Sequence, residues 1–318
     1  MIRNLFLVFL TLSIAVGAQA SGSRGIAIAA KKQNMDIDLG TYRALIIGNN
    51  DYVDPERNWK PLETAVSDAK SVASVLREYY GFTDVKRIEN ATRKDILFAL
   101  RELTKRAQPN DSVLLYYAGH GYLDQDTNRG YWIPVDAEGL DHSTFVRNST
   151  IRDEVSLLST KVKHTLLISD SCFSGSLLRG GNRGIALTEK TDAYYQKIAQ
   201  KRSAQIMAAG GVEFVDDNYK ASGHSPFTYF LLNELSHNDQ PILTATELAS
   251  NVGKAVANNV DQVPESGVLY GAGDELGEFL FIRIKFDPKQ QKVVDVQVEK
   301  QRSPTSSNPP QLLPLPSL

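Results

Sequence analysis

The chain has 318 residues, enough for one large domain or two small ones. Apolar residues make up 42% and charged residues 23%, which excludes a coiled coil, a collagen-like fibre and a wholly disordered chain. The 35 basic and 37 acidic residues leave a net charge of −2 without the basic stripe of a nucleic-acid binder, and the single cysteine, Cys172, excludes an intramolecular disulfide.

Residues 1–20 read as a cleaved secretory signal: Arg3 near the start, an apolar run from Leu5 to Val16, and Ala18-Gln19-Ala20 at the cut. About a dozen apolar residues are short for a membrane span of roughly 20. Together these predict an exported protein, periplasmic or extracellular, free of the membrane once the signal is removed.

Residues 21–41 carry no clear periodicity and form a leader. From Tyr42 short β-rich runs alternate with amphipathic stretches. Ala44–Gly48 predicts a buried strand, and the apolar spacing within Pro61–Tyr80 predicts a helix with one buried face. Val85–Ile88 is a second strand. Thr92 caps a helix running to Arg106, and Ser112–Tyr117 is a third, nearly all-apolar strand. A helix near Ile151–Ser159 leads into a fourth strand, Thr165–Ile168. Strands that are apolar on both faces and alternate with helices imply a largely parallel sheet covered on both sides.

Residues 176–202 break the rhythm with Gly180, Gly181 and Gly184 among basic residues; they read as a linker, helical at most over Asp192–Gln200. The sheet resumes at Ala204–Ala209. Helices follow near Phe227–Leu235 and Ala245–Asn259, then a sixth strand, Phe279–Ile282. Residues 284–318 are rich in Pro, Ser and Gln and read as a disordered tail.

Ligands of such a sheet bind beyond the carboxyl ends of its strands. His120 follows the third strand in Tyr-Ala-Gly-His-Gly, and Cys172 follows the fourth in Ser-Asp-Ser-Cys-Phe-Ser-Gly. If those strands are neighbours, imidazole and thiol share one rim, and a nearby imidazole activates a thiol as thiolate. The backbone N–H groups of Gly121 and Cys172 are then placed to hold a developing oxyanion. Against this, a lone cysteine is most often an inert buried residue, and a histidine at a strand end is usually structural. His142, His164, His224 and His237 receive no chemical role.

These motifs, with Ala44-Leu45-Ile46-Ile47-Gly48-Asn49-Asn50, Ser67-Asp68-Ala69, Gly211-Val212-Glu213 and Ser225–Leu232, resemble the caspase-like cysteine peptidases, on the side of the metacaspase and paracaspase branch found in bacteria. The resemblance covers about residues 42–283. It implies a caspase-like three-layer α/β/α sandwich with a mostly parallel central sheet of about six strands. It also implies a large-subunit-like part (42–175), the linker (176–202) and a small-subunit-like part (203–283). By resemblance His120 is the general base and acid and Cys172 the nucleophile. Asp170 stands where caspases carry glutamine, and Asp68 and Glu213 match further acidic pocket positions of relatives that prefer basic P1 residues. The implied function is a cysteine endopeptidase cutting peptides or proteins after Arg, then Lys. Its rivals are a non-catalytic protein-binding module and a thiol amidase acting on cell-wall peptides.

Some metacaspases need calcium, held by aspartates after the histidine motif and shortly after the cysteine. Asp124, Asp126 and Asp136 are present, but no aspartate lies between Ser174 and Thr191, so no metal or cofactor is expected. Self-cleavage within 176–202, after Arg179, Arg183, Lys201 or Arg202, is a further expectation.

Overall fold

A computed structural model describes residues 39–53, 58–171, 191–210, 217–269 and 271–284. All of them belong to one compact unit, Met1–Phe286; a second unit, Asp287–Leu318, lies outside the described residues, as do residues 1–38.

The strands are β1 (Tyr42–Gly48), β2 (Asp84–Glu89), β3 (Ser112–Ala118), β4 (Gly121–Asp124), β5 (Arg129–Trp132), β6 (Val146–Arg147), β7 (His164–Asp170), β8 (Ser203–Ala208), β9 (Ile242–Thr244), β10 (Glu265–Val268) and β11 (Leu280–Ile282). The helices are α1 (Ala65–Tyr80), α2 (Arg93–Arg106), α3 (Asn148–Lys161), α4 (Asp192–Gln200), α5 (Pro226–His237) and α6 (Ala245–Ala257). The main sheet has the order β10-β8-β7-β3-β1-β2. Its pairs are parallel except β10 against β8.

Alternation along the strands explains why they are apolar on both faces. Ala44 and Ile46 of β1, Leu114 and Tyr116 of β3, and Leu166 and Ile168 of β7 pack with α1, α5 and α6. Leu45 and Ile47, Leu115 and Tyr117, and Leu167 point the other way, into a second core with α2 and α3. Three layers result. Thr92 caps α2 with a reciprocal bond from Asp95, and Thr244 and Glu247 do the same for α6.

The sixth strand of the main sheet is not the one expected. Residues 280–282 pair with β9 in a separate two-stranded sheet, and the sheet edge is taken by β10. Its sequence, Glu-Ser-Gly-Val, carries a single strongly apolar residue, because an edge strand buries little and shows no run to read. The hairpin sheet β4-β5-β6 also lies outside the expected elements.

Helix α1 starts at Ala65 rather than Pro61. Residues 61–64 form a connecting segment instead: the Leu62 amide donates to the Asn50 carbonyl, and Asn50 Oδ1 takes the Val66 amide at 2.9 Å. The helix end presses on β1, since a Cβ at Gly48 would stand 2.4 Å from the Ala65 carbonyl oxygen.

Candidate active site

The carboxyl ends of β1, β3 and β7 finish level with one another, with Gly48 paired to Ala118 and Ala118 to Asp170. His120 stands two residues beyond Ala118, and the sequence carries Cys172 two residues beyond Asp170. The adjacency left as a condition by the sequence holds: β3 and β7 are neighbours, and the Gly119 amide reaches across to the Asp170 carbonyl at 3.3 Å. Ser171 is the last described residue before the cysteine; Cys172 itself lies outside the described residues, as does Glu213.

His120 is buried and held from several sides. Its amide donates to the Tyr52 hydroxyl at 2.8 Å, and its carbonyl accepts from the Tyr117 hydroxyl at 2.9 Å and the Ile133 amide at 3.0 Å. The Tyr52 and Trp59 rings lie 4.6 and 5.8 Å from the imidazole. Gly119 makes this possible, because a Cβ there would come within 2.8 Å of the Tyr117 hydroxyl and 2.9 Å of that of Tyr52. The imidazole Nε2 sits 2.7 Å from the Lys60 carbonyl oxygen. A carbonyl only accepts, so Nε2 carries the proton and the lone pair of the neutral ring is on Nδ1. Burial holds the imidazole below its usual value, with the Lys60 carbonyl and the charge of Asp217 acting in the opposite sense. The ring is therefore neutral near pH 7.

Gly121 opens β4 opposite Trp132. Because the Ile133 amide bonds the His120 carbonyl, the Gly121–Trp132 pair is of the non-hydrogen-bonded kind, and the Gly121 N–H points away from β5.

Asp170 and Asp68 come together as the sequence expectation requires. Asp68 lies on α1 and is 1% exposed. A solvated helix surface, the ordinary place for such a residue, is excluded. The signal was present in the spacing: Asp68 is three residues from Ala65 and four from Val72, on the apolar stripe. Ser225, the N-cap of α5, links the two acids: its amide donates to Asp68 Oδ2 at 3.3 Å and its hydroxyl to Asp170 Oδ2 at 2.5 Å. Thr228 donates to the same Asp170 oxygen at 2.6 Å, and its hydroxyl is 2.5 Å from that of Tyr116.

Burial, then the charge of Asp68, push Asp170 up to about 7, against the hydroxyl donors that favour its charged form. Burial raises Asp68 as well, opposed by His224.

Two residues here were missed in the sequence. His224 Nδ1 lies 2.6 Å from Asp68 Oδ1, a contact between residues far apart in the chain. Asp217 supplies a further acid: its carboxylate takes the Glu63 amide and the Thr64 hydroxyl, so it holds the segment that leads into α1 and adds negative charge beside both aspartates. The remaining histidines are structural: buried His164 joins Ser203 to the Ala199 carbonyl, His142 packs among Tyr122, Tyr131 and Phe145, and His237 bonds within α5.

Of the acids considered for calcium, Asp124 accepts from Asp126 and Thr127 in its own turn, and Asp136 takes the Arg93 amide at the start of α2. Among the described residues no group of three His, Cys, Asp or Glu side chains is placed to hold a metal ion. These donors do not fit a calcium cage.

A family model described as the caspase domain matches residues 41–268, well over half of the chain. The chain belongs to the caspase-domain family. Metacaspase-1A of Aspergillus oryzae is 34% identical over 157 residues, which cover 44% of this chain and 36% of that protein. Metacaspase-1 of Botryotinia fuckeliana is 33% identical over 156 residues, covering 44% and 36%. The chain thus spans little more than a third of these metacaspases. The crystal structure of the Drosophila initiator caspase Dronc matches with a TM-score of 0.52 at 14% identity, over 76% of this chain and 84% of that one. The likeness shows the shared fold: a caspase-like α/β sandwich around a mostly parallel six-stranded sheet.

Proposed function

We propose that this protein is a cysteine endopeptidase that cuts peptide bonds after Arg and, less well, after Lys, through Cys172 and His120. The observation that supports the reading is the β3–β7 register, which pairs Ala118 with Asp170, the residues that His120 and Cys172 each follow by two positions in the sequence. In this mechanism His120 Nδ1 takes the Cys172 proton while Nε2–H stays on the Lys60 carbonyl. The thiolate adds to the scissile carbonyl carbon, and the oxyanion rests on the N–H groups of Gly121 and Cys172. Collapse expels the amine, which receives the proton from Nδ1 and leaves a thioester. Water, deprotonated by Nδ1, hydrolyses the thioester and returns the thiol.

Asp68 and Asp170, with Glu213 by family match, form the S1 pocket. A guanidinium offers a planar fork of donors that satisfies two carboxylates at once, whereas Lys brings one compact charge, hence Arg before Lys. Aspartate at P1 would meet repulsion.

The donor sets around Asp124 and Asp136 are already committed, so activity is expected to survive chelation of calcium. The amino-terminal signal makes export, to the periplasm or beyond, part of the same proposal.

The test is turnover of fluorogenic peptides by the purified protein. Wild type should release Arg substrates, while Cys172→Ala and His120→Ala should each be inactive yet folded. The double variant should be little worse than either single one. Full turnover by Cys172→Ala would end this reading.

A further inference from the structure

The loop 217–224 is anchored to α1 by several contacts that do not involve the His224 ring. Asp217 holds the segment before the helix through Glu63 and Thr64, Ser67 donates to the Gly223 carbonyl at 2.5 Å, and within the loop Asn218 Oδ1 takes the Gly223 amide at 2.9 Å. Lys220 and Ala221 sit at φ of 47° and 56°, a costly conformation for residues with a Cβ, which persists only where the surroundings determine it. The loop is thus over-determined without the imidazole. What the imidazole adds is a contact to one atom of the acidic pocket: Nδ1 stands 2.6 Å from Asp68 Oδ1.

Asp68 depends on that contact. Its other oxygen takes the Ser225 amide at 3.3 Å, a long bond, while the side chain is 1% exposed. A buried carboxylate that loses its short charge-assisted donor is pushed toward its protonated form, and a protonated acid no longer attracts a cation. Ser225 at the same time donates to Asp170, so His224 and Ser225, consecutive in sequence, hold the two carboxylates side by side. His224 itself is partly open to solvent, its side chain 22% exposed.

We infer that His224 is a specificity-determining positioning residue: by donating from Nδ1 to Asp68 it keeps that carboxylate charged and oriented beside Asp170, so that one guanidinium spans both. This rests on the reading of Asp68 and Asp170 as the pocket for a basic side chain. Arg needs both carboxylates in a fixed relation, whereas Lys is served by one, so His224 acts on Arg more than on Lys. An Asn at 224 carries a donor nitrogen at the same bond distance from Cα as Nδ1, without a charge, and should do the same work.

The experiment measures binding apart from chemistry: calorimetry of arginine amide and lysine amide on the full chain carrying Cys172→Ala. His224→Ala in that background should weaken arginine amide about tenfold and lysine amide distinctly less. His224→Asn should return arginine affinity to within about threefold of the parent. In the active chain His224→Ala should raise KM for Arg peptides with little change in kcat. The alkylation rate of Cys172 by a small uncharged reagent should stay the same.

Unchanged arginine affinity in His224→Ala, an equal loss for both amides, or a failed rescue by His224→Asn would overturn the inference. So would a parent that binds neither amide. Arginine amide binding that follows this pattern on a chain that cleaves no Arg peptide would sink the peptidase reading and leave the role of His224 standing.

Discussion

Asp170 carries a conflict between stability and function. Its carboxyl titrates near 7 in the folded chain, against 3.8 for an unperturbed group. A folded value above the unfolded one means that its stabilising contribution is complete below about pH 4 and is lost as the pH rises through about 7. Ionised Asp170 therefore costs stability at pH 8, on the order of 2–4 kcal/mol. Asp170→Asn should raise the unfolding midpoint at pH 8 and do so much less at pH 4; a calorimetric scan at both values checks this. The same substitution should cut kcat/KM for Arg peptides by about thirtyfold or more, the loss that follows when one partner of a buried charge pair is removed.

The rate should follow the same carboxyl. A guanidinium needs the ionised form, so kcat/KM for Arg peptides should climb as the pH rises through about 7. His120 is held below its ordinary 6.5 by burial, which places its titration on the acid side of that step. A pH profile of Asp170→Asn separates the two groups: the step near 7 should vanish while the more acidic one remains. If the step near 7 survives, Asp170 is not its source.

Elements at the opposite rim are joined by a different titrating group. His164 opens β7, bonds the Ser203 hydroxyl where β8 begins, and takes the Ala199 carbonyl at the end of α4, both at 3.0 Å. Burial lowers it to about 4. Because its folded value lies below the unfolded 6.5, the fold favours the neutral ring, and stability falls as the pH drops from about 6.5 towards 4. The expected loss is on the order of 2–3 kcal/mol. Urea unfolding of wild type and His164→Gln at pH 7 and pH 4.5 should show it as the difference between the two chains, since Asp170 acts in the opposite sense over the same range.

The same region narrows where the chain can cut itself. The Arg202 carbonyl accepts amides from Glu275 and Gly277, its amide donates to Glu275, and a Cβ at Gly277 would stand 2.0 Å from the Lys201 carbonyl oxygen. Backbone bound in this way does not enter a cleft as an extended substrate. Arg179 and Arg183, outside the described residues, remain as the expected sites. Mass spectrometry of an active preparation should find ends at Arg179 or Arg183 and none at Lys201 or Arg202.

Over the whole molecule, what the sequence reveals and what it hides divide by sequence distance. The five parallel strands and their covering helices were legible because apolar runs and Thr92-type caps are local signals. Their order was not, and β11 leaves the main sheet to pair with β9, a contact that no local pattern records. Asp68 was readable as buried from its helical spacing, but its partner His224 lies 156 residues away and looks like an ordinary loop histidine. Asp217 and the Lys60 carbonyl share that fate, one acting through a remote bond to Thr64 and the other through backbone alone.

The central claim is that this caspase-domain chain hydrolyses peptide bonds after arginine with Cys172 and His120. The most direct measurement digests three peptides that differ only in Arg, Lys or Asp at one position, with product masses read for wild type and for Cys172→Ala. The account predicts cuts after Arg, slower cuts after Lys, none after Asp, and none at all from Cys172→Ala. Cleavage after Asp, or cleavage after Arg that survives the loss of the thiol, would contradict it.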